Sequence, residues 1–185
     1  MADLRKLRTQ REIQQALADL LLKKTFSKIT VTDIVNKALI NRNTFYLHYR
    51  DKYDLVEQII MTMVDQSSFS INEFNTTPFY FLRSISNEAS DLGHQTISNE
   101  ASDLGHQIIN RQRADSEFLE VVLKTILKLV MTDVDSSNSQ IWFTFGKLSA
   151  IMAWNNQHGY YYDIIQDADQ LQQIFDTEEF PNLND

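Results

Sequence analysis

Hydrophobic residues recur every three or four positions along most of the chain, which is the spacing expected of amphipathic α-helices. Immediately before the first such stripe, Thr9 and Glu12 have the spacing of a capping box, in which a hydroxyl and a carboxylate satisfy free backbone N–H groups. The pattern therefore predicts that a first helix begins at Thr9 and ends near Lys23-Lys24. Its apolar stripe consists of Ile13, Leu17, Leu20 and Leu21.

Three further helices are predicted before residue 64. The third of the four would run from Arg42 to Tyr49, and the fourth would start at Lys52. Two short helices that are joined tightly and buttressed by a longer one form the helix-turn-helix arrangement, whose second helix enters the major groove of DNA. The capping residues predicted for these helices are Thr30 or Thr32, then Asn41, and then Asp51.

The predicted third helix separates core-facing from outward-facing positions. Phe45 and Tyr49 are four residues apart and can face the core, which leaves the other side chains on other faces. Arg42 and Asn43 carry the donors and acceptors that match guanine and adenine edges. The groups suited to phosphate oxygens belong to Thr44, Tyr46, His48 and Lys52. The spacing alone leaves open a short amphipathic hairpin with a polar, solvated face.

The charge is divided unevenly along the chain. The net charge is −8, but residues 1 to 60 carry eleven Lys and Arg against seven Asp and Glu, whereas residues 61 to 185 carry six against eighteen. A basic head followed by an acidic body is typical of a polyanion-binding module attached to a part that must not bind polyanions. Ordinary fluctuation of charge along a sequence is the alternative.

The ordered series of motifs in the head resembles a known family. Thr30-Val31-Thr32-Asp33-Ile34-Val35 is followed by Asn41-Arg42-Asn43-Thr44-Phe45-Tyr46-Leu47-His48-Tyr49 and by Arg50-Asp51-Lys52-Tyr53-Asp54-Leu55. Over about residues 9 to 60, this series resembles the N-terminal domain of the tetracycline-repressor (TetR) family of bacterial transcription regulators. The family usually has glycine in the turn where Leu39 stands, so Leu39 is strained if the backbone there needs a positive φ.

The resemblance implies a set of DNA-contacting positions. Tyr46, His48 and Lys52 resemble contacts to the DNA backbone, whereas Arg42 and Asn43 resemble residues that read bases. The complete set of implied positions is Thr30, Thr32, Arg42, Asn43, Thr44, Tyr46, Leu47, His48 and Lys52.

The acidic body shows the resemblance only in its layout. The segment from Ile141 to Trp154, with the polar break Asn155 to Gly159, resembles the C-terminal part of a TetR branch frequent in Firmicutes. In that family the last two helices pair with their copies in a second subunit, so the resemblance implies a homodimer.

The aromatic residues of the body suit either a core or an effector pocket, and they identify no ligand-binding residue. The predicted helices are Thr77–Leu92, Thr96–Leu104, Asp115–Met131, Ser139–Gln157 and Tyr162–Phe175, with a loop at Asp133 to Ser139.

The amino-acid composition excludes several other classes of fold and of functional site. Four Gly and two Pro in 185 residues argue against turn-rich β-folds, and the lack of Cys excludes disulfides and thiolate metal sites. The four glycines are scattered, so no phosphate-binding loop can be written, and no arrangement fixes a catalytic nucleophile beside its base. We expect no cofactor, no enzyme activity, no membrane segment and a cytoplasmic location.

An internal repeat stands apart from these motifs. The eleven residues Ile85 to Gln95 recur without change as Ile97 to Gln107, and Gly93 and Gly105 offer breaks between helices. Each copy contains Asp-x-x-His, at Asp91 and at Asp103, which could offer two metal ligands. A tandem duplication without a metal site is the simpler interpretation.

These patterns together predict an all-α homodimer with two parts. Residues 1–52 are expected to form a helix-turn-helix DNA-binding domain, and residues 53–185 a helical domain for dimerisation and effector sensing. The function predicted is sequence-specific binding of operator DNA by a transcriptional regulator, a repressor modulated by a small-molecule effector. A co-regulator that acts through a protein partner, and a small helical enzyme or ligand-binding protein, are the alternatives.

Overall fold

The computed structural model describes residues 2–66, 71–88, 104–133 and 139–182. Within these ranges the chain forms α-helices and a 3-10 turn at Phe26–Lys28 but no strand, so the all-α prediction is confirmed. None of these helices combines the length and apolar character needed to cross a membrane. The helices are α1 Ala2–Leu21, α2 Val31–Lys37, α3 Arg42–Tyr46, α4 Lys52–Gln66, α5 Ile71–Thr76, α6 Pro78–Glu88, α7 Leu104–Gln112, α8 Ser116–Asp133, α9 Ser139–Gln157 and α10 Ala168–Thr177.

The chain divides into two compact units. The first unit contains residues 1–66 and 87–126, and the second contains residues 67–86 and 127–185. The first unit therefore includes α7 and the start of α8 in addition to the four N-terminal helices. The predicted end of the DNA-binding domain at residue 52 stays a prediction.

Three of the predicted helix caps are present in the first unit. Thr30 and Asp33 form a capping box, with Asp33 N donating to Thr30 Oγ1 at 3.2 Å and Thr30 N donating to Asp33 Oδ2 at 2.8 Å. Asn41 Oδ1 accepts from Thr44 N at 2.8 Å, and Asp51 Oδ1 accepts from the first-turn amides of α4 at 2.8 and 2.9 Å. The sequence therefore fixes the starts of α2, α3 and α4 through local hydrogen bonds.

The predicted start of the first helix at Thr9 is wrong. Helix α1 already begins at Ala2, and Thr9 lies inside it. Residues 2–8 contain no helix breaker and several strong helix formers, so the helix extends past the capping box. Glu12 instead pairs with Arg8, whose Nε lies 3.0 Å from Glu12 Oε1.

The third helix is shorter than predicted. Helix α3 ends at Tyr46, and the next residues close with a His48 N to Phe45 O hydrogen bond of 2.9 Å, which tightens the last turn. Tyr49 nonetheless lies in the core, as its four-residue spacing from Phe45 predicts. The core of the first unit is formed by Ile13, Leu17, Phe26, Ile34, Phe45, Tyr49 and Leu55, each at most 2% exposed.

Leu39 adopts the left-handed backbone conformation in which the TetR family usually has glycine. Its φ is +56°, and its side chain is 92% exposed. The turn is closed by Ile40 N, which donates to Val35 O at 3.1 Å. Because the exposed side chain contributes almost nothing to the core, burial does not offset the backbone strain of a branched residue at positive φ.

The second unit is organised around buried phenylalanines and the buried amide of Gln172. The amide nitrogen of Gln172 donates to Thr76 O at 2.9 Å, and its oxygen accepts from Phe79 N at 3.4 Å, so α10 satisfies backbone groups at the end of α5 and the start of α6. The core residues of this unit include Phe74, Phe79, Phe81, Leu148, Ile151, Leu171 and Phe175.

Several predictions for the body differ from the structure. Helix α9 has the predicted bounds, but α10 begins at Ala168 instead of Tyr162. The Asp163 carboxylate accepts from the Ile165 and Gln166 amides at 2.9 Å, and this turn competes with helix formation. Helix α5 was not predicted, and α6 is described only to Glu88.

The repeat is described only at its ends. Its first copy from Ala89 onward and its second copy up to Asp103 lie outside the described residues, as do most of the predicted helix Thr96–Leu104 and the inner part of the loop at Asp133 to Ser139. Leu104 begins α7, and Gly105 is buried inside this helix, so the predicted break at Gly105 is wrong. Within the described ranges, no three potential ligands cluster as a metal site.

We expect Leu39→Gly to stabilise the protein by about 0.5–1 kcal/mol. Glycine removes a left-handed strain of about 1–2 kcal/mol, and this gain exceeds its additional loss of backbone entropy on folding, which is about 0.5–1 kcal/mol. Urea denaturation measures the difference. Leu47→Gly is the control, because Leu47 is also exposed but has a φ of −73°, so its replacement brings no gain. Equal effects of the two substitutions would contradict the strain at Leu39.

Candidate nucleic-acid interface

Helix α3 presents a polar face above two buried aromatic rings. Phe45 and Tyr49 are 0% and 2% exposed, and their ring centroids lie 5.7 Å apart. The side chains of Arg42, Asn43, Tyr46 and Leu47 are exposed, whereas those of Thr44 and His48 are partly buried. The structure therefore brings these six predicted site residues together on and just after one short helix.

Arg42 and Tyr46 form a pair on this surface. The Nε and Nη2 atoms of Arg42 donate to Tyr46 Oη at 3.2 and 3.1 Å, and the guanidinium carbon lies 5.6 Å from the ring centroid. Since a guanidinium has five N–H donors, three remain for other acceptors. The pair keeps a cationic, multiply donating group on the exposed surface of α3.

The predicted residues of α2 lie at its N-terminus. Thr32 is exposed, and the Thr30 hydroxyl donates to Asp33 Oδ2 at 2.8 Å. An ion pair with Lys24 at 2.8 Å, together with the bonds from Thr30, lowers the pKa of Asp33 to about 2. The capping carboxylate therefore remains ionised and neutralises one lysine of the head.

His48 follows α3 and borders the N-terminal helix. Partial burial of the imidazole, and after it the positive charge of Lys6, lower the pKa of His48. The geometric contact between α1 and this part of the chain is made by Gln14, whose Nε2 donates to Tyr49 Oη at 3.4 Å.

Lys52 is placed apart from the other predicted site residues. Its side chain is buried, with Nζ donating to Phe26 O at 2.9 Å and lying 2.6 Å from Glu117 Oε1. The ammonium also lies 4.3 Å from the centroid of the Phe26 ring and 5.1 Å from that of Tyr53. In this structure Lys52 therefore joins α4 to the 3-10 turn and to α8.

Three polar residues at the end of α7, just before α8 and in its first turn complete this junction. Gln112 is fully buried and bonds backbone groups of the α1–α2 connection: Phe26 N donates to its Oε1 at 2.8 Å, and its Nε2 donates to Lys24 O at 3.0 Å. Asp115 accepts from Ser27 N at 2.9 Å and from Ser27 Oγ at 2.8 Å. Glu117 accepts from Tyr53 Oη at 2.8 Å. We call Lys52, Gln112, Asp115 and Glu117 the junction residues.

The junction also perturbs the acidity of its carboxylates. Hydrogen bonds from Lys52 and then from Tyr53 lower the pKa of Glu117. For Asp115, burial alone raises the pKa, but the bonds from Ser27 and from the start of α8 together outweigh it and lower the pKa. Sequence analysis identified Asp115 only as a helix start and missed the junction, although a polar run from Asn110 to Glu117 precedes an apolar helix and marks this corner.

The first unit thus contains a short helix held to its core by two aromatic rings, preceded by a capped helix and a tight turn, which is the helix-turn-helix arrangement of DNA-binding proteins. Residues 13–59 match the family described as bacterial regulatory proteins, tetR family. The chain therefore carries the N-terminal domain of TetR-family transcriptional regulators, and the resemblance found in the sequence is confirmed over this segment.

A curated relative and two solved structures are also similar to the chain. The uncharacterized HTH-type transcriptional regulator YxbF of Bacillus subtilis (strain 168) is 39% identical over 70 residues, which are 37% of this chain and 17% of that protein. The dihydroxyacetone kinase operon activator DhaS is 17% identical with a TM-score of 0.47, over 92% of this chain and 95% of that one. The fatty acid degradation regulator FadR from Bacillus halodurans is 14% identical with a TM-score of 0.40, over 90% and 94%.

We expect the stabilising effect of Glu117 to disappear in acid. Because the folded-state pKa of Glu117 is below its ordinary value of 4.5, its contribution is fully present above 4.5 and is lost as the pH falls through the folded pKa. Urea denaturation of the wild type and Glu117→Gln should show a difference that is constant near neutrality and shrinks below pH 4.5. Glu120→Gln, on the exposed face of α8, is the control. A difference independent of pH would contradict the ionic role.

Proposed function

We propose that the chain binds operator DNA sequence-specifically through α3 and thereby regulates transcription. The observation that carries this proposal is the exposed face of α3, where Arg42, Asn43, Tyr46 and Leu47 lie above the buried Phe45 and Tyr49. A helix of this kind, with its polar residues outward and its aromatic residues anchored, fits the width of the major groove. The family match over residues 13–59 supports the same function.

Individual roles follow from side-chain chemistry. Arg42 and Asn43 are proposed to read base edges, and Leu47 to contact the groove through its apolar side chain. Thr30, Thr32, Thr44, Tyr46 and His48 are proposed to bind phosphate oxygens, because hydroxyl and imidazole groups at these positions border the exposed surface.

Lys52 requires a separate account. Its ion pair with Glu117 and its bond to Phe26 O support a positioning role in which it fixes α4 against the 3-10 turn. The predicted contact of Lys52 with a phosphate would require the phosphate to replace Glu117 as the partner of the ammonium. We therefore propose that Lys52 contacts DNA only in a state in which this ion pair is broken.

The second unit is proposed to form a homodimer through α9 and α10. Trp142 and Phe143 of α9 are 53% and 72% exposed, and the same side of the helix continues with Gly146, Ala150 and Ala153, which are also exposed. Large exposed aromatic residues beside small ones support close packing of a second helix. Because one short recognition helix reads few base pairs, two-fold pairing would allow the protein to read a palindrome.

The regulatory outcome is proposed to be repression modulated by a small-molecule effector. A ligand that binds the second unit changes DNA affinity only if it binds two conformational states with different affinities. The chain divides into two units, and the net positive charge of residues 1 to 60 lies within the first, which supports separate sites for DNA and effector. We propose that the protein acts in the cytoplasm and without a cofactor.

Selection of binding sites from a random duplex pool tests DNA recognition. We expect a two-fold symmetric site, and we expect Arg42→Ala to weaken binding to it by about 1–3 kcal/mol, or 5- to 150-fold, with a much smaller effect on scrambled DNA. Fluorescence anisotropy measures both affinities. Arg83→Ala removes the same charge from the second unit and is the control. Failure to enrich any duplex would contradict the proposal and favour a co-regulator that acts through a protein partner.

If α9 forms the dimer interface, a charged substitution on its exposed face should disrupt the dimer. Ala153→Arg places a long charged side chain on the exposed small-residue face, so we expect the variant to become monomeric while the fold is retained. Light scattering coupled to size exclusion measures the molar mass, and circular dichroism checks the helices. Gln107→Arg, on the exposed side of α7, should leave the mass unchanged. A monomeric wild type would overturn the proposed dimer.

A further inference from the structure

The N-terminal part of α1 extends beyond the core of the first unit. The first buried residue of α1 is Ile13, and none of residues 4–12 is buried. At 1.5 Å per residue these nine residues form about 14 Å of helix. Since most helical stability in proteins comes from burying an apolar face, this segment owes little to the core. We call residues 4–12 the N-terminal arm.

The N-terminal arm is strongly cationic. It contains Arg5, Lys6, Arg8 and Arg11, which are all exposed, and a single carboxylate, Glu12. The carboxylate of Glu12 accepts from Arg8 Nε at 3.0 Å and neutralises that guanidinium. The arm therefore holds four of the eleven positive charges in residues 1 to 60 and only one negative charge, so its net charge is +3.

The direction of the arm follows from helical spacing. Lys6 precedes Ile13 by seven residues, Leu17 by eleven and Leu20 by fourteen, so the lysine lies on the face of α1 that is continuous with its core-facing stripe. Gln14 follows the arm by two residues, and its Nε2 atom donates to Tyr49 Oη at 3.4 Å. The arm therefore ends next to the part of α1 that contacts Tyr49, the residue directly after the segment Arg42 to His48.

The cationic side chains of the N-terminal arm are suited to binding phosphate groups. The exposed side chains Arg5, Lys6 and Arg8 are cations close together in sequence, and the anionic phosphates of a duplex would offset their mutual repulsion. Arg and Lys side chains bind phosphate oxygens without reading sequence, and each such contact releases counterions from DNA.

We propose that the N-terminal arm is a second DNA-contacting element, which binds phosphate groups of the duplex beside the segment Arg42 to His48. This inference rests on the proposed function. The arm would increase affinity for all duplexes, whereas Arg42 and Asn43 would determine which duplex is preferred.

The salt dependence of binding tests the arm. In the double variant Arg5→Gln, Lys6→Gln, glutamine preserves helix propensity while both charges are removed. For the selected duplex, the slope of log K against log salt concentration should become shallower by about 1.8 per protomer, since each phosphate contact contributes about 0.9. Affinity for selected and scrambled duplexes should fall by the same factor, and this factor should grow as the salt concentration is lowered.

A matched control removes the same net charge elsewhere. Lys124→Gln, Lys128→Gln changes two exposed lysines of α8 and should leave the slope near that of the wild type. The arm variant could have the same slope of log K against log salt concentration as the wild type, while Arg42→Ala still loses specificity. This result would contradict the DNA contact of the arm and leave the proposed function standing. Absence of duplex binding by the wild type would overturn both. If the arm variant loses affinity only for anionic phosphatidylglycerol vesicles and not for DNA, the arm is a membrane-binding element and the inference is wrong.

Discussion

Burial of Phe26 obliges its backbone N–H and C=O groups to find partners away from water. The Gln112 side chain accepts from the N–H group, and the Lys52 ammonium donates to the C=O group. Because Gln112 ends α7 and Lys52 begins α4, one residue of a 3-10 turn determines where both helices lie. Helix α2 follows this turn in sequence and is attached further by ion pairs of Asp33 with Lys24 and of Lys37 with Asp19, each at 2.8 Å.

The charge of Lys52 is compatible with burial only because several groups share the compensation. A carbonyl, a carboxylate and two aromatic faces surround the ammonium, so removal of one partner leaves a poorly solvated charge rather than a free surface lysine. Asp115 provides a second, independent attachment of the same turn through Ser27. The junction residues thus make the first unit larger than its helix-turn-helix, since α7 and the start of α8 belong to it.

Sequence analysis succeeded where the determining interactions are local. The caps at Thr30, Asn41 and Asp51, and the burial of Phe45 and Tyr49, depend on residues within four positions of one another. It failed at Thr9, where helix propensity extends α1 beyond an apparent cap, and it missed Gln112, whose partners lie 86 to 91 residues away. No local pattern encodes such a pairing. The roles of the predicted site residues toward DNA stay predictions.

The contact between Arg42 and Tyr46 affects the entropy of the proposed interface. A free arginine side chain has rotamer freedom worth up to about 2 kcal/mol, which is lost when it is fixed against a base. Two hydrogen bonds to Tyr46 Oη and a guanidinium carbon 5.6 Å from the ring centroid already restrict these rotamers in the unbound protein. Part of the ordering of Arg42 therefore precedes association with DNA. The residence time on DNA would then depend on Tyr46 even if its hydroxyl contacted no nucleotide.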